Sequence, residues 1–338
     1  MDVFEHLKSQ LSSQDKRIVF PEGEDERIFG AAARLAHDGL LTPILLGNEA
    51  KIKAAAKQDG IDLTGVEIMD PQTYPAADYQ AMHAALLERR HGKNTPEQVD
   101  AMLKDVSYFA TMLVYMGKVD GMVSGAIHST GDTVRPALQI VKTKPGIKRI
   151  SGAFLMQKGD QRYIFADCAI NIELDAPTMA EVAVESAKTA KLFGIDPRVA
   201  MLSFSTKGSA KGEMVTKVAE ATKLAQAADS ELAVDGELQF DAAFVPDVAA
   251  HKAPGSPLQG RANVLVFPSL EAGNIGYKIA QRLGGYRAIG PLIQGLAAPL
   301  HDLSRGCSVE EIIELALVAS VPRQTDASRI PDSSTLVE

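Results

Sequence analysis

Arg17-Ile18-Val19-Phe20-Pro21-Glu22-Gly23-Glu24-Asp25, leading into a segment of helical period over residues 25–37, is the stretch from which the fold is read. A short apolar run closed by proline and glycine predicts a strand, the spacing after it predicts an amphipathic helix, and Gly39 predicts its stop. Thr42-Pro43-Ile44-Leu45-Leu46 predicts the next strand, closed by Gly47. The alternation continues with helices over 79–90 and 96–115, the second opened by an N-cap at Thr95, and a strand over 121–125. In the second half, 163–167 predicts a strand, and Thr178-Met179-Ala180-Glu181 a capping box opening a helix that Phe193-Gly194 closes. A strand over 199–204 empties into Ser205-Thr206-Lys207-Gly208-Ser209-Ala210-Lys211-Gly212 ahead of a helix over 213–228. Another over 263–267 feeds a loop and a helix ending near Leu283. Strands alternating with helices in this way predict an α/β protein of βαβ units around mainly parallel sheets.

With 338 residues, two domains are expected rather than one, and the Lys142-Thr143-Lys144-Pro145-Gly146 interruption places a boundary between Val141 and Ile150. The 46% hydrophobic content is ample for buried cores. A formal charge of -8 argues against nucleic acid as a partner, because that affinity rests on clustered Lys and Arg. Two cysteines, Cys168 and Cys307, without CxxC spacing suit a reducing cytosol, although one bridge between them is compatible with the sequence. The amphipathic N-terminus lacks a secretory apolar core and no stretch reaches membrane-span length, so a cytoplasmic protein without membrane attachment is expected. HExxH, Cys/His and EF-hand patterns are missing, as are GxGxxG and P-loop strings, so neither a metal nor a dinucleotide site is predicted. No repeat of fixed period points to a solenoid.

Polar and glycine residues fall after Phe20, Val123, Phe204 and Phe267, always at the carboxyl end of a predicted strand, where open α/β sheets bind ligands. The loop His128-Ser129-Thr130-Gly131-Asp132-Thr133-Val134-Arg135-Pro136 sets hydroxyls and a glycine beside an arginine. Pro136 fits the first turn of a helix through Ala137, Leu138, Ile140 and Val141, so an anion there would meet amide donors and a guanidinium together. Ser129, Thr130 or Thr133 could equally cap that helix, and Asp132 could pair with Arg135. In Leu303-Ser304-Arg305-Gly306-Cys307-Ser308, Ser304 is a candidate oxyanion donor and Arg305 a bidentate phosphate ligand. Cys307 reads as packing in preference to a nucleophile, since its loop has no histidine beside it and only His301 upstream. Glu311 fits two roles, the third residue of a capping box opened by Ser308 and a general base, with Glu310 as the alternative base. Arg89 and Arg90 close a helix, where cations are favourable in any case. Ser205 and Lys207 lie in a second phosphate-type loop, and Asn274, Tyr277 and Lys278 in Gly273-Asn274-Ile275-Gly276-Tyr277-Lys278.

Taken together, the two arginine-bearing strings and the Asn-Ile-Gly-Tyr-Lys run resemble the phosphate acetyltransferase (phosphotransacetylase) family, and the resemblance runs from about residue 3 to about 321. It implies two α/β/α domains with mainly parallel sheets of the isocitrate/isopropylmalate dehydrogenase kind, with the active site in the interdomain cleft. Domain I would comprise 1–144 plus 295–322 and domain II 145–294, leaving 323–338 as a flexible tail. The implied reaction is acetyl transfer between coenzyme A and phosphate by direct thiolate attack, with acetyl-CoA, coenzyme A, phosphate and acetyl phosphate as small-molecule partners. No cofactor beyond coenzyme A is implied, and a homodimer is. Ser304, Arg305, Glu311 and Arg135 take the catalytic roles. Arg89, Ser129, Thr130, Thr133, Ser205, Lys207, Asn274, Tyr277, Lys278 and Cys307 take substrate-binding ones. The chain departs from many relatives with Gly131 in place of alanine and Glu311 in place of aspartate. Three rivals stand beside this reading: a phosphate butyryltransferase, a non-catalytic acetyl-CoA-sensing domain, and a decarboxylating dehydrogenase of the isocitrate type, whose metal-binding aspartates and nicotinamide site are not found in the sequence.

Overall fold

The computed structural model describes Phe4, Leu7, Lys8 and residues 15–321; the tail expected at 323–338 lies outside the described residues. The chain divides into two compact units, Met1–Lys144 with Leu296–Glu338, and Pro145–Gly295.

In the first unit β1 (Arg17–Phe20) leads through Asp25, whose side chain caps the amide of Arg27, into α1 (Glu26–His37). The chain continues through β2 (Thr42–Leu46), α2 (Glu49–Gln58), β3 (Glu67–Met69) and α3 (Ala76–Arg89). The single helix expected over 96–115 is instead two, α4 (Pro96–Leu103) and α5 (Val106–Tyr115). Asp105 breaks it, because its carboxylate accepts the amides of Ser107 and Tyr108 and so starts a new helix. β4 (Gly121–Ser124) and α6 (Thr130–Ile140) follow. After the second unit the chain returns with β11 (Leu300–Asp302) and α12 (Val309–Ser320).

The sheet order is β11-β4-β1-β2-β3 with every ladder parallel. From β1 the chain first builds outward through β2 and β3, then crosses to β4 on the other flank. The strand order therefore reverses between β1 and β4, which is where open parallel sheets form a ligand crevice at the carboxyl ends. Ile18, Phe20, Phe29, Ile44, Leu45 and Phe109 are fully buried around this sheet, and α12 lies on α1, β1 and β4 with Ile312, Leu315 and Leu317 inward.

The second unit holds β5 (Ser151–Lys158), β6 (Gln161–Ala166), α7 (Ala176–Leu192), β7 (Arg198–Leu202), α8 (Glu213–Ala228), β8 (Ala233–Leu238), α9 (Phe240–Phe244), α10 (Pro246–Lys252), β9 (Val264–Val266), α11 (Leu270–Arg282) and β10 (Arg287–Gln294). Its sheet order is β10-β5-β6-β9-β7-β8, antiparallel across the first two ladders and parallel across the rest. The capping box expected at Thr178 does not form. Asp175 caps α7 by accepting the amide of Thr178, and Pro177 occupies the first turn.

Candidate active site

Two residues of the β1–α1 segment organise the switch point of the first unit. Glu22 is 3% exposed. Its Oε2 accepts the amides of Gly125 (3.0 Å) and Ala126 (2.8 Å), its Oε1 those of Ile127 (2.9 Å) and His128 (2.7 Å), and His128 Nδ1 lies 2.8 Å from the same Oε1. Arg27 takes the opposite polarity. Its guanidinium donates to the carbonyls of Ala126 (2.9 Å), Arg305 (2.8 Å) and Cys307 (3.3 Å) and is held by both oxygens of Asp25. The loop after β4 and the loop after β11 are thus tied to one segment, through amides in the first case and carbonyls in both.

The two loops also touch directly. Leu303 donates its amide to the Ser124 carbonyl at 2.7 Å. Gly125, at φ 112°, leaves no room for a side chain, since a Cβ there would meet Asp302 Oδ1 at 2.5 Å and the Leu303 amide nitrogen at 2.6 Å.

Helix α6 starts earlier than its proline suggests. Ser129 and Asp132 form a capping box, so Pro136 sits inside the helix, not in its first turn. The predicted hydroxyls are engaged or enclosed: Ser129 Oγ donates to Asp132 (2.6 Å), Thr130 Oγ1 to Asp302 Oδ2 (2.6 Å), and Thr133 is 2% exposed. Among the described residues the amides of Thr130 and Gly131 have no acceptor, and these are the donors left for an anion. Arg135 is exposed, with its nearest carboxylate, Asp132, 4.0 Å away. Arg305 is exposed and makes no ion pair among the described residues. The parallel pairing of β11 with β4 sends both arginine-bearing loops out of the same end of one sheet.

Asp302 is fully buried, and burial, with a smaller contribution from the Glu22 charge, pushes its carboxyl from an ordinary 3.8 up to about 6. The native state therefore holds this proton more tightly than the unfolded chain does. Stability due to the neutral form is full below pH 4 and is lost as pH rises towards 6, by about 3 kcal/mol at most for a two-unit shift. Asp302→Asn stays neutral while its carbonyl can still accept from Thr130. Its stability relative to the wild type should rise between pH 4 and 6 and level off above, as read by denaturant unfolding; parallel pH curves would remove Asp302 from the titration.

Cys307 is buried, and burial pushes its thiol up to about 11 against the pull of Arg27, which fits packing and not nucleophilic attack. Both cysteines are free. Glu311 accepts the amide (2.7 Å) and hydroxyl (3.1 Å) of Ser308 on Oε2, the capping box expected of it, while its Oε1 takes no hydrogen bond from the described residues. Glu310 pairs with Arg34 through both oxygens, at 2.5 and 3.3 Å. Ser304 is exposed and lightly held, its Oγ accepting the Gly306 amide at 3.4 Å.

Arg89 stands apart from the two loops. It donates to the carbonyls of Ile140 (2.6 Å) and Val141 (3.3 Å) at the carboxyl end of α6 and lies over the Tyr115 ring at 5.0 Å, so its side chain closes that helix. With Arg90 and Lys93 it lowers the pKa of Lys142, Arg89 acting most strongly.

In the second unit Ser205 is buried and donates to Glu237 Oε1 (2.9 Å), which also accepts the Gly208 amide (2.7 Å). The Lys207 ammonium is bound by Asp235. Asn274 donates to the Cys168 carbonyl (3.1 Å), Tyr277 stacks on Phe154 at 4.1 Å, and Lys278 lies over the Tyr277 ring at 4.9 Å. From the sequence neither Glu22 nor Arg27 takes a functional role. The one signal available was the run of acids after β1, at a strand end where an anion site needs donors.

Residues 2–320 match the family described as phosphate acetyl/butaryl transferase. A phosphate acetyltransferase from Staphylococcus epidermidis is 60% identical over 324 residues, spanning 94% of this chain and 98% of its own. The solved EutD phosphotransacetylase from Staphylococcus aureus shares 58% identity at a TM-score of 0.89, with 95% of this chain and 98% of that one covered. A phosphotransacetylase from Streptococcus pyogenes gives 56% identity and a TM-score of 0.91 over 94% and 97%.

Proposed function

We propose, from the premise that the chain belongs to the phosphate acetyl/butaryl transferase family, that Arg135, Arg305, Ser304 and Glu311 carry its reversible reaction, acetyl-CoA plus phosphate giving acetyl phosphate plus coenzyme A. The observation that carries this reading is the pairing of β4 with β11, which delivers both arginine-bearing loops to one end of a sheet at its switch point. Towards acetyl-CoA, Arg135, Arg305 and the Thr130 and Gly131 amides hold the phosphate, and Glu311 takes the thiol proton. The thiolate attacks the acetyl carbonyl within a ternary complex, Ser304 donates to the developing oxyanion, and phosphate leaves with the bonding pair. Most of the rate enhancement is positioning and charge compensation. Coenzyme A enters as a substrate, and no further cofactor has a step in this scheme.

The acetyl group is favoured over butyryl by relatives near 60% identity that carry the name phosphate acetyltransferase. A thiol-release assay on acetyl-CoA tests the reading. Release that requires phosphate is expected, and acetyl-CoA binding without phosphate-dependent release would instead select a sensing domain. Butyryl phosphate turned over as well as acetyl phosphate would select the butyryltransferase.

We assign a cytoplasmic location, in keeping with two free cysteines, and no helix among the described residues is long and apolar enough to cross a membrane. A homodimer is supported by an apolar stripe at helical spacing on and just beyond α11, where Ile275, Ile279 and Leu283 are 58%, 52% and 85% exposed. Ile279→Asp should convert a sedimenting dimer to a monomer; wild type sedimenting as a monomer would discard the dimer.

A further inference from the structure

We propose that Glu22 is a positioning residue for this reaction: its carboxylate fills the amide nest of the loop after β4 and so moves the substrate dianion one step along the chain, to Thr130, Gly131 and Arg135. The inference rests on the reading that this end of the sheet binds phosphate.

Four successive amides, Gly125 to His128, converge on the two oxygens of one side chain at 2.7 to 3.0 Å. Successive N–H groups pointing inward form the kind of concavity that binds phosphate in other proteins. Here the protein supplies its own anion. A carboxylate, acceptor-only on both oxygens, suits four converging donors. Burying that charge is costly, and the four charge-assisted bonds offset the cost. The anchor has two consequences for the substrate. A second anion is repelled from the nest, and the free donors begin only beyond His128, at the start of α6. Thr130 in turn is tied to Asp302 on the neighbouring strand, so the helix carrying Arg135 is registered to β11 as well as to β1.

Glu22→Gln keeps the size but offers an NH2 group where two amides need an acceptor. Amide exchange of residues 125–128 should then accelerate tenfold or more while that of Met122 in β4 holds. The KM for acetyl phosphate should rise about tenfold, with the KM for coenzyme A unchanged. Glu22→Asp retains the charge at shorter reach and should fall between the two on both readouts; where the Gln variant does not fold, the Asp variant decides. Unchanged exchange with an unchanged KM, or equal rises in both KM values, would overturn the proposal. Arg135→Ala run alongside separates the premise from the inference. A normal KM for acetyl phosphate in that variant defeats the phosphate reading, whereas a raised KM there with a normal one in the Glu22 variants defeats only the role of Glu22.

Discussion

Arg135→Ala will lower kcat/KM about a hundredfold or more while leaving the melting temperature close to that of the wild type. A hundredfold is about 2.7 kcal/mol of lost transition-state stabilisation, at about 1.4 kcal/mol per decade. On the structural side little is at stake. The guanidinium is exposed, its pairing with Asp132 at 4.0 Å is a surface contact, and such pairs contribute about 0–1 kcal/mol. Alanine is also at least as good a helix former inside α6. The two effects are therefore separable in one variant, and a folded enzyme with wild-type kinetics would take Arg135 out of the mechanism. Arg135→Lys should fall between, because a point charge replaces a planar fork able to meet two phosphate oxygens at once.

Local chemistry made parts of this fold legible before the structure. β1 and α1 follow from the apolar run Ile18-Val19-Phe20, the helical period after it and the Gly39 stop, which the structure places at φ 63°. The helix over Glu213–Ala228 lies where its period put it. Misreadings occurred where two local signals compete. Pro136 fits a first turn, but the Ser129–Asp132 box starts α6 upstream and the proline is carried inside. Asp105 resembles any surface acid until it caps α5. Long-range pairing was not legible at all. β11 is three residues with a histidine and an aspartate, and only its register against β4 makes it a strand. Glu22 in a predicted loop reads as a solvated acid, yet the four amides it serves lie about a hundred residues downstream. Likewise Arg89 was readable as a cation at a helix end, whereas the α6 carbonyls it meets were not.

The second unit repeats the device seen at Glu22. Asp167, fully buried, accepts the amides of Gly152, Ala169, Ile170 and Asn171, and Glu237 accepts Ser205 and Gly208. Loops at the carboxyl ends of strands expose several amides at once, and a buried carboxylate satisfies them where no backbone partner is in reach. Such loops resemble phosphate cradles in sequence, with serines, glycines and a lysine. Whether their donors face a ligand depends on which acid the fold places beneath them, and for Ser205 and Lys207 that acid is already in contact.

Glu311→Gln should cost about a hundredfold in kcat with no loss of stability, and the reason lies in how its two oxygens are used. Oε2 serves the cap, accepting the Ser308 amide, and a glutamine carbonyl can do the same, so the roughly 0.5–2 kcal/mol of an N-cap is retained. Oε1 is uncommitted among the described residues, whereas the neighbouring alternatives are occupied: both Glu310 oxygens sit on Arg34, and Cys307 is a buried thiol pushed up to about 11. A thiol with an ordinary pKa near 8.5 is mostly protonated at neutral pH, and a positioned base is worth roughly 10²–10⁴ in rate. If Glu311 is that base, bulk hydroxide should partly replace it. The activity of the Gln variant should climb about tenfold per pH unit from pH 6 to 8, flattening as the coenzyme thiol itself ionises, while the wild type has already levelled off. Ser308→Ala supplies the opposite control. It removes the cap and not the base, so the melting temperature should fall while kcat stays within a few-fold. Should Glu311→Gln match the wild type in both kcat and pH profile, the residue is a cap alone, and the thiol proton must leave by another route.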